Sequence, residues 1–232
     1  MRSSTMSLCA LFAIANAASA ATVFNPSFEF GVPVMGGPLT TDWRWDTHNF
    51  VTAENGITPA AGVQMLKFLE TSTGFGPGPG VVCDVFQIVD LTSPADQAII
   101  STGFGNITVS ALFNRVAGPV PSPVDTRFDI NVRSHSTLAN AQSLTATNFG
   151  NSMLFSDANL QTWEGLATSI SLPVGTQYIT IHLAAVEDVI NDSTGVEFHG
   201  HYADDVRLSL VPAPGPVALA GLGGLLALRR RR

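Results

Sequence analysis

The chain has 232 residues, 45% hydrophobic and only 12% charged, with a formal net charge of −7. That length fits one large β domain, and the apolar content is ample for a core. Between Arg2 and the terminal Arg229 to Arg232 lie six basic and eighteen acidic residues, a balance of −12. Such a body repels nucleic-acid phosphates and suits neutral ligands or divalent cations.

The N-terminus reads Met1-Arg2, an apolar run from Met6 to Ala18, then Ala18-Ser19-Ala20. A basic start, a short apolar stretch and an A-x-A site predict a helical signal peptide over 1–20, cut after Ala20. Its removal takes Cys9 away, leaves Cys83 alone and rules out an internal disulfide in the mature chain. Cys83 alternates with Val81 and Val85 and reads as a small buried hydrophobe.

Residues 21–210 show period-2 alternation and little helical periodicity. Ile107, Val109, Ala111 and Phe113 alternate with polar or outward positions, as do Phe128, Ile130 and Val132. The same holds for Ile179, Ile181, Leu183 and Ala185, and for Val206, Leu208 and Leu210. Further strands are expected near 22–30, 43–51, 63–69, 81–91, 152–156 and 164–172, and 95–100 is short enough to be a helical turn. Pro and Gly clusters at 74–80, 118–123 and 173–175 separate these segments. About ten short strands predict an all-β, antiparallel β-sandwich of the jelly-roll kind.

Catalytic patterns are scarce. There is no G-x-S-x-G elbow, and the Gly74 to Gly80 loop lacks the Lys-Ser/Thr of a phosphate cradle. Glu197, His199 and His201 alternate on one segment, and two His with a carboxylate can bind zinc. No HExxH helix accompanies them, and hydrogen-bonded or surface roles are expected. Glu187-Asp188-x-x-Asn191-Asp192 is an acidic turn without EF-hand spacing and reads as a solvated loop, with a second cation site as the alternative. A non-enzymatic protein is expected. A glycan-active enzyme would need two carboxyl groups facing across a cleft. For sugar binding the useful side chains are exposed aromatics, here Trp43, Trp45, Trp163, Tyr178 and Tyr202. Trp43 and Trp45 are two apart and, in a strand, share a face, so they are the predicted ligand-binding pair; the alternative is core packing, expected of at least two of the three Trp.

After residue 210 the chain reads Val211-Pro212-Ala213-Pro214-Gly215, an apolar Gly-rich stretch from Pro216 to Leu228, and Arg229, Arg230, Arg231 and Arg232. The apolar part is shorter than the roughly 20 residues of a comfortable membrane helix, and the Arg cluster should stay cytoplasmic. This tail over 211–232 resembles the PEP-CTERM sorting signal: a Pro-x-Pro motif (Pro212, Ala213, Pro214), a short transmembrane helix and a basic end. Ala213 replaces the usual middle Glu. The resemblance implies an exosortase-type processing enzyme as partner, membrane contact through the tail, and an exported, cell-surface location.

A second resemblance covers the body. Asn25-Pro26-Ser27-Phe28-Glu29 opens it, Trp43 and Trp45 follow, and Asp204-Asp205-Val206-x-Leu208 closes it. These motifs resemble carbohydrate-binding modules and galactose-binding-like domains, which are jelly rolls. The stretches 57–68, 113–118 and 197–208 are similar to an uncharacterised group of PEP-CTERM proteins. The resemblance implies extracellular polysaccharide as ligand and a structural calcium held by Glu29 and Asp205, since calcium takes six to eight oxygens. The alternative is a structural surface or matrix protein with no defined ligand.

Overall fold

A computed structural model describes residues 19–69, 82–116, 125–157, 159–188 and 200–212. The signal helix, the transmembrane sorting helix, Glu197, His199, and the Gly74 to Gly80 and Gly118 to Pro123 loops lie outside these residues, apart from Ser19 and Ala20 of the signal segment.

Eleven strands and two short helices follow one another: β1 (Val34–Met35), β2 (Arg44–Trp45), β3 (His48–Val51), β4 (Met65–Phe68), β5 (Val82–Asp90), α1 (Pro94–Ile100), β6 (Gly105–Arg115), β7 (Thr126–His135), α2 (Leu138–Gln142), β8 (Asn148–Phe155), β9 (Glu164–Ser171), β10 (Tyr178–Glu187) and β11 (His201–Pro212). They form two sheets. Sheet A runs β1-β2-β5-β10-β7-β8, and sheet B runs β3-β4-β11-β6-β9. Every strand pairing is antiparallel except β1 with β2.

The alternating residues do what their period dictates. Val85, Phe128, Ile130, Val132, Ile181 and Leu183 of sheet A meet Phe68, Val109, Phe113, Ala203 and Val206 of sheet B in one apolar layer between the sheets. Successive side chains of a strand point to opposite faces, so the intervening residues form each sheet's outer face. Cys83 is fully buried in the layer, and burial pushes its thiol up.

Three expectations need correction. Residues 22–30 form no strand: Asn25 and Phe28 both have positive φ, 47° and 57°, and the chain turns there. The expected strand at 43–51 is split into β2 and β3 around Asp46 and Thr47, one strand for each sheet. The last strand runs on to Pro212, paired with Gly105, so the strand contains the first proline of the Pro-x-Pro motif. The helical turn at 95–100 is α1. It is capped by Ser93, whose hydroxyl accepts from the Asp96 amide, with Pro94 at the first position.

Candidate functional site: the outer face of sheet A

Strand register sets one row across this face: Arg44 of β2, Phe86 of β5, His182 of β10, Asn131 of β7 and Asn151 of β8. The row spans four strand spacings, roughly 19 Å. Phe86 stacks on His182 with ring centroids 4.1 Å apart and planes 13° from parallel. His182 Nε2 lies 2.7 Å from Asp84 Oδ1 and its Nδ1 lies 3.0 Å from Asn131 Nδ2, so both ring nitrogens are held. The Asp84 amide in turn donates to Asp46 Oδ2. Next to this row Arg127 bridges Asp129 and Asp188.

The two predicted tryptophans part company. Trp43 is 2% exposed; its ring packs on Phe28 and its Nε1 donates to the Asn25 carbonyl. It is a core residue, which corrects its assignment to the ligand-binding pair. Trp45 is 42% exposed. Its backbone φ is +133°, a region that residues with a Cβ rarely adopt. Register puts Trp45 opposite Val85, whose side chain lies in the core. The unusual φ takes the indole off that line. It rests edge-on against Phe86, at 5.9 Å and 79°, on the outer face.

At the far edge, β8 turns Phe149, Met153 and Phe155 outward, at 54%, 55% and 41% exposure. Gly150, Ser152 and Leu154 face inward, opposite Val132, Ile130 and Phe128. Spacing indicates a strand only at 152–156 and does not single out these outward residues. Phe149-x-Asn151-x-Met153-x-Phe155 does carry a period-2 signal, but with the apolar side facing out. A hollow of about 480 Å³ opens beside this edge, lined by Arg133, Ala146, Thr147, Asn148 and Phe149. The face therefore has aromatic borders and a polar centre. Its upper end is closed by Leu39, Ala141 and Leu144 packed over Phe86 and Ile88.

The remaining candidate aromatics are engaged elsewhere. Tyr202 is fully buried on sheet B, donating to Glu54 Oε1 and accepting from Asn55 Nδ2. Trp163 gives its N–H to the Thr58 carbonyl. Tyr178 packs half-buried against the Leu39 cluster.

The first segment and the last strand are joined, as the module resemblance implies: the Val206 amide donates to the Pro26 carbonyl. Glu29 Oε1 accepts from the amides of Val63 and Gln64, at 2.8 and 2.9 Å. Asp204 Oδ2 accepts from the amides of Ala60 and Ala61, at 2.7 and 2.9 Å. These two carboxylates thus grip one loop, and Gly62 within it has φ +65° and leaves no room for a Cβ beside the Glu29 carboxylate. Asp205, at φ +50° in a bulge of β11, faces Arg207, whose Nε and Nη2 contact its two carboxylate oxygens. Among the described residues no group of three or more His, Cys, Asp or Glu could hold a metal ion. Burial pushes the Asp204 carboxyl up to about 6, against the pull of its backbone N–H donors.

Glu187 is not in a solvated loop. It is 5% exposed and meets His201 Nε2 at 2.5 Å, with Thr126 Oγ1 beside both; Arg115 pairs with Asp125 at 3.2 Å in the same buried cluster. Desolvation lowers the His201 pKa, and burial raises that of Asp125.

No family profile matches the chain, and no curated protein sequence does. Among solved structures, a cyclase from Fischerella sp. TAU is 12% identical, with a TM-score of 0.50 over 83% of this chain and 96% of that one. The two share a fold. The CBM22-2 xylan-binding domain from Paenibacillus barcinonensis Xyn10C is 14% identical at a TM-score of 0.38, covering 72% of this chain and 90% of that one. A family 16 carbohydrate-binding module is 15% identical at 0.36, covering 65% and 79%. At such scores neither carries a functional argument.

Proposed function

We propose that the protein is an exported, surface-sorted β-sandwich that binds extracellular polysaccharide on the outer face of sheet A and acts by binding, not catalysis. The observation that carries this reading is Trp45. It is a large, exposed aromatic held at a strained φ of +133° against Phe86, beside the His182, Asp84 and Asn131 hydrogen-bonding groups. Backbone outliers of this kind cost about 1–3 kcal/mol and cluster at functional sites. A flat ring covers the C–H face of a sugar while polar neighbours take its hydroxyls. Export and sorting rest on the two terminal segments and their resemblance to a signal peptide and a PEP-CTERM tail.

Binding is tested by retention of the purified protein on a panel of soluble and insoluble polysaccharides. Trp45→Ala should abolish retention and leave the fold intact, whereas retention equal to wild type would place the site elsewhere. Sorting is tested by following the chain in an exporting host. Removal of 213–232 should release the domain from the envelope, and unchanged retention there would contradict the tail's role.

The calcium implied at Glu29 and Asp205 belongs to the same reading. As folded, Glu29 Oε1 and both Asp205 oxygens already meet N–H donors, so the ion would have to take Asp205 from Arg207 and recruit further oxygens to reach six to eight. Melting with calcium and with chelator tests it. A Tm that falls with chelator and returns with calcium means a bound ion. An unchanged Tm means that the loop amides and Arg207 satisfy these carboxylates alone.

A further inference from the structure

Arg133 sits on the outer face of sheet A, directly opposite Phe149 across the β7–β8 pair, and lines the 480 Å³ hollow at that edge. Directly opposed residues have Cβ atoms about 5 Å apart, so a guanidinium and an exposed aromatic ring share one small site. The other cations of this face are engaged: Arg44 donates to the Pro38 carbonyl and pairs with Asp42, and Arg127 bridges Asp129 and Asp188. Arg133 is half-buried, its Nη1 is shut from solvent with no hydrogen-bond partner, and no ion pair reaches it among the described residues. Asp84, the carboxylate whose charge acts on it, is hydrogen-bonded to His182. A guanidinium is the side chain best shaped to take a carboxylate through two parallel N–H bonds. Of the three basic residues on this face, Arg44 and Arg127 are balanced by Asp42, Asp129 and Asp188.

We propose that the hollow at Arg133 and Phe149 is a subsite for an acidic sugar, with the Arg133 guanidinium taking the carboxylate of a uronate residue and the Phe149 ring its apolar face. This rests on the polysaccharide reading and adds to it a preference for uronate-bearing polymers.

The test has two arms on the purified protein. In the first, sodium glucuronate and glucose are titrated separately while the Arg133 Nε–H and Phe149 amide signals are followed by NMR. Glucuronate should move both signals and glucose neither; no response to glucuronate overturns the subsite. In the second, retention on polygalacturonate and on neutral xylan is compared for wild type, Arg133→Gln and Arg133→Lys. Arg133→Gln should weaken polygalacturonate binding by about tenfold or more, Arg133→Lys by less, and neither should change xylan binding. Equal loss on both polymers, or on neither, overturns the proposal. A glucuronate response without retention on any polymer would uphold the carboxylate site and overturn the polysaccharide reading. Retention without a glucuronate response would do the reverse.

Discussion

Trp45 holds a backbone conformation, and Asp204 a buried position, that its chemistry resists, and each makes a measurable forecast. Glycine adopts φ +133° without the Cβ penalty, so Trp45→Gly relieves strain while losing one edge-on aromatic contact worth about 0.5–1.5 kcal/mol. The account predicts a change in unfolding free energy below about 1 kcal/mol together with complete loss of binding. A large fall in Tm would mean that Trp45 serves the fold. Asp204 is fully buried and presents both oxygens to backbone N–H groups. Asn would turn an N–H₂ group toward those donors, so Asp204→Asn should cost about 1–3 kcal/mol in denaturant unfolding. The pH dependence adds a sign. The folded pKa of about 6 lies above the ordinary 3.8. Asp204's contribution is therefore fully present below pH 3.8 and is lost as pH rises through 6. The gap between wild type and Asp204→Asn should widen as pH falls from 7 to 4. His201 works in the opposite sense: its lowered pKa gives stability that is present above 6.5 and lost as pH falls. Sequence spacing could not separate Trp43 from Trp45. Two residues at i and i+2 share a face only in a regular strand, and the positive φ at Trp45 breaks that rule. Neither did spacing reveal that Glu187, drawn as part of a solvated turn, is buried on His201 and Thr126, because its partners come from β7 and β11.

The strands themselves were legible wherever one side of the alternation was apolar and buried. β6, β7, β10 and β11 appear where their periodicity put them, extended by a few residues at the ends. β8 was only half visible, because its inward residues are Gly150, Ser152 and Leu154 and its large apolar residues face out. The reason for small inward residues is the close approach of β9. A Cβ on Gly150 would lie 2.6 Å from Ile170 Cγ2, and Asn148 Nδ2 donates to the Ser171 carbonyl across the same seam. Gly150→Val should therefore destabilise by about 1–3 kcal/mol through overpacking, read as a lower urea midpoint. An unchanged midpoint would mean that β8 slides freely on β9. The helix α2 was missed because five residues, Leu138–Gln142, are too few to show a period; its Thr137 cap, which accepts from the Asn140 amide, was the available signal. The turn at 22–30 was misread as a strand because Val23, Phe24 and Phe28 look extended in sequence, while Asn25 and Phe28 take positive φ.

At the scale of the whole molecule, two sheets enclose one apolar layer, and the outer face of sheet A is left with aromatic borders at Trp45 and β8 around a polar centre. The terminal segments that would export and sort this domain were read from the sequence alone. The sandwich was legible from alternation; the binding face was not, because it depends on which strands become neighbours across a sheet, and non-local pairing leaves no mark on local spacing. The most direct measurement is retention of the purified protein on a polysaccharide panel, with Trp45→Ala beside wild type. The account predicts selective retention of wild type and none for Trp45→Ala at an unchanged Tm. No retention of wild type on any polymer, or equal retention of both, would contradict it and leave a structural surface protein in its place.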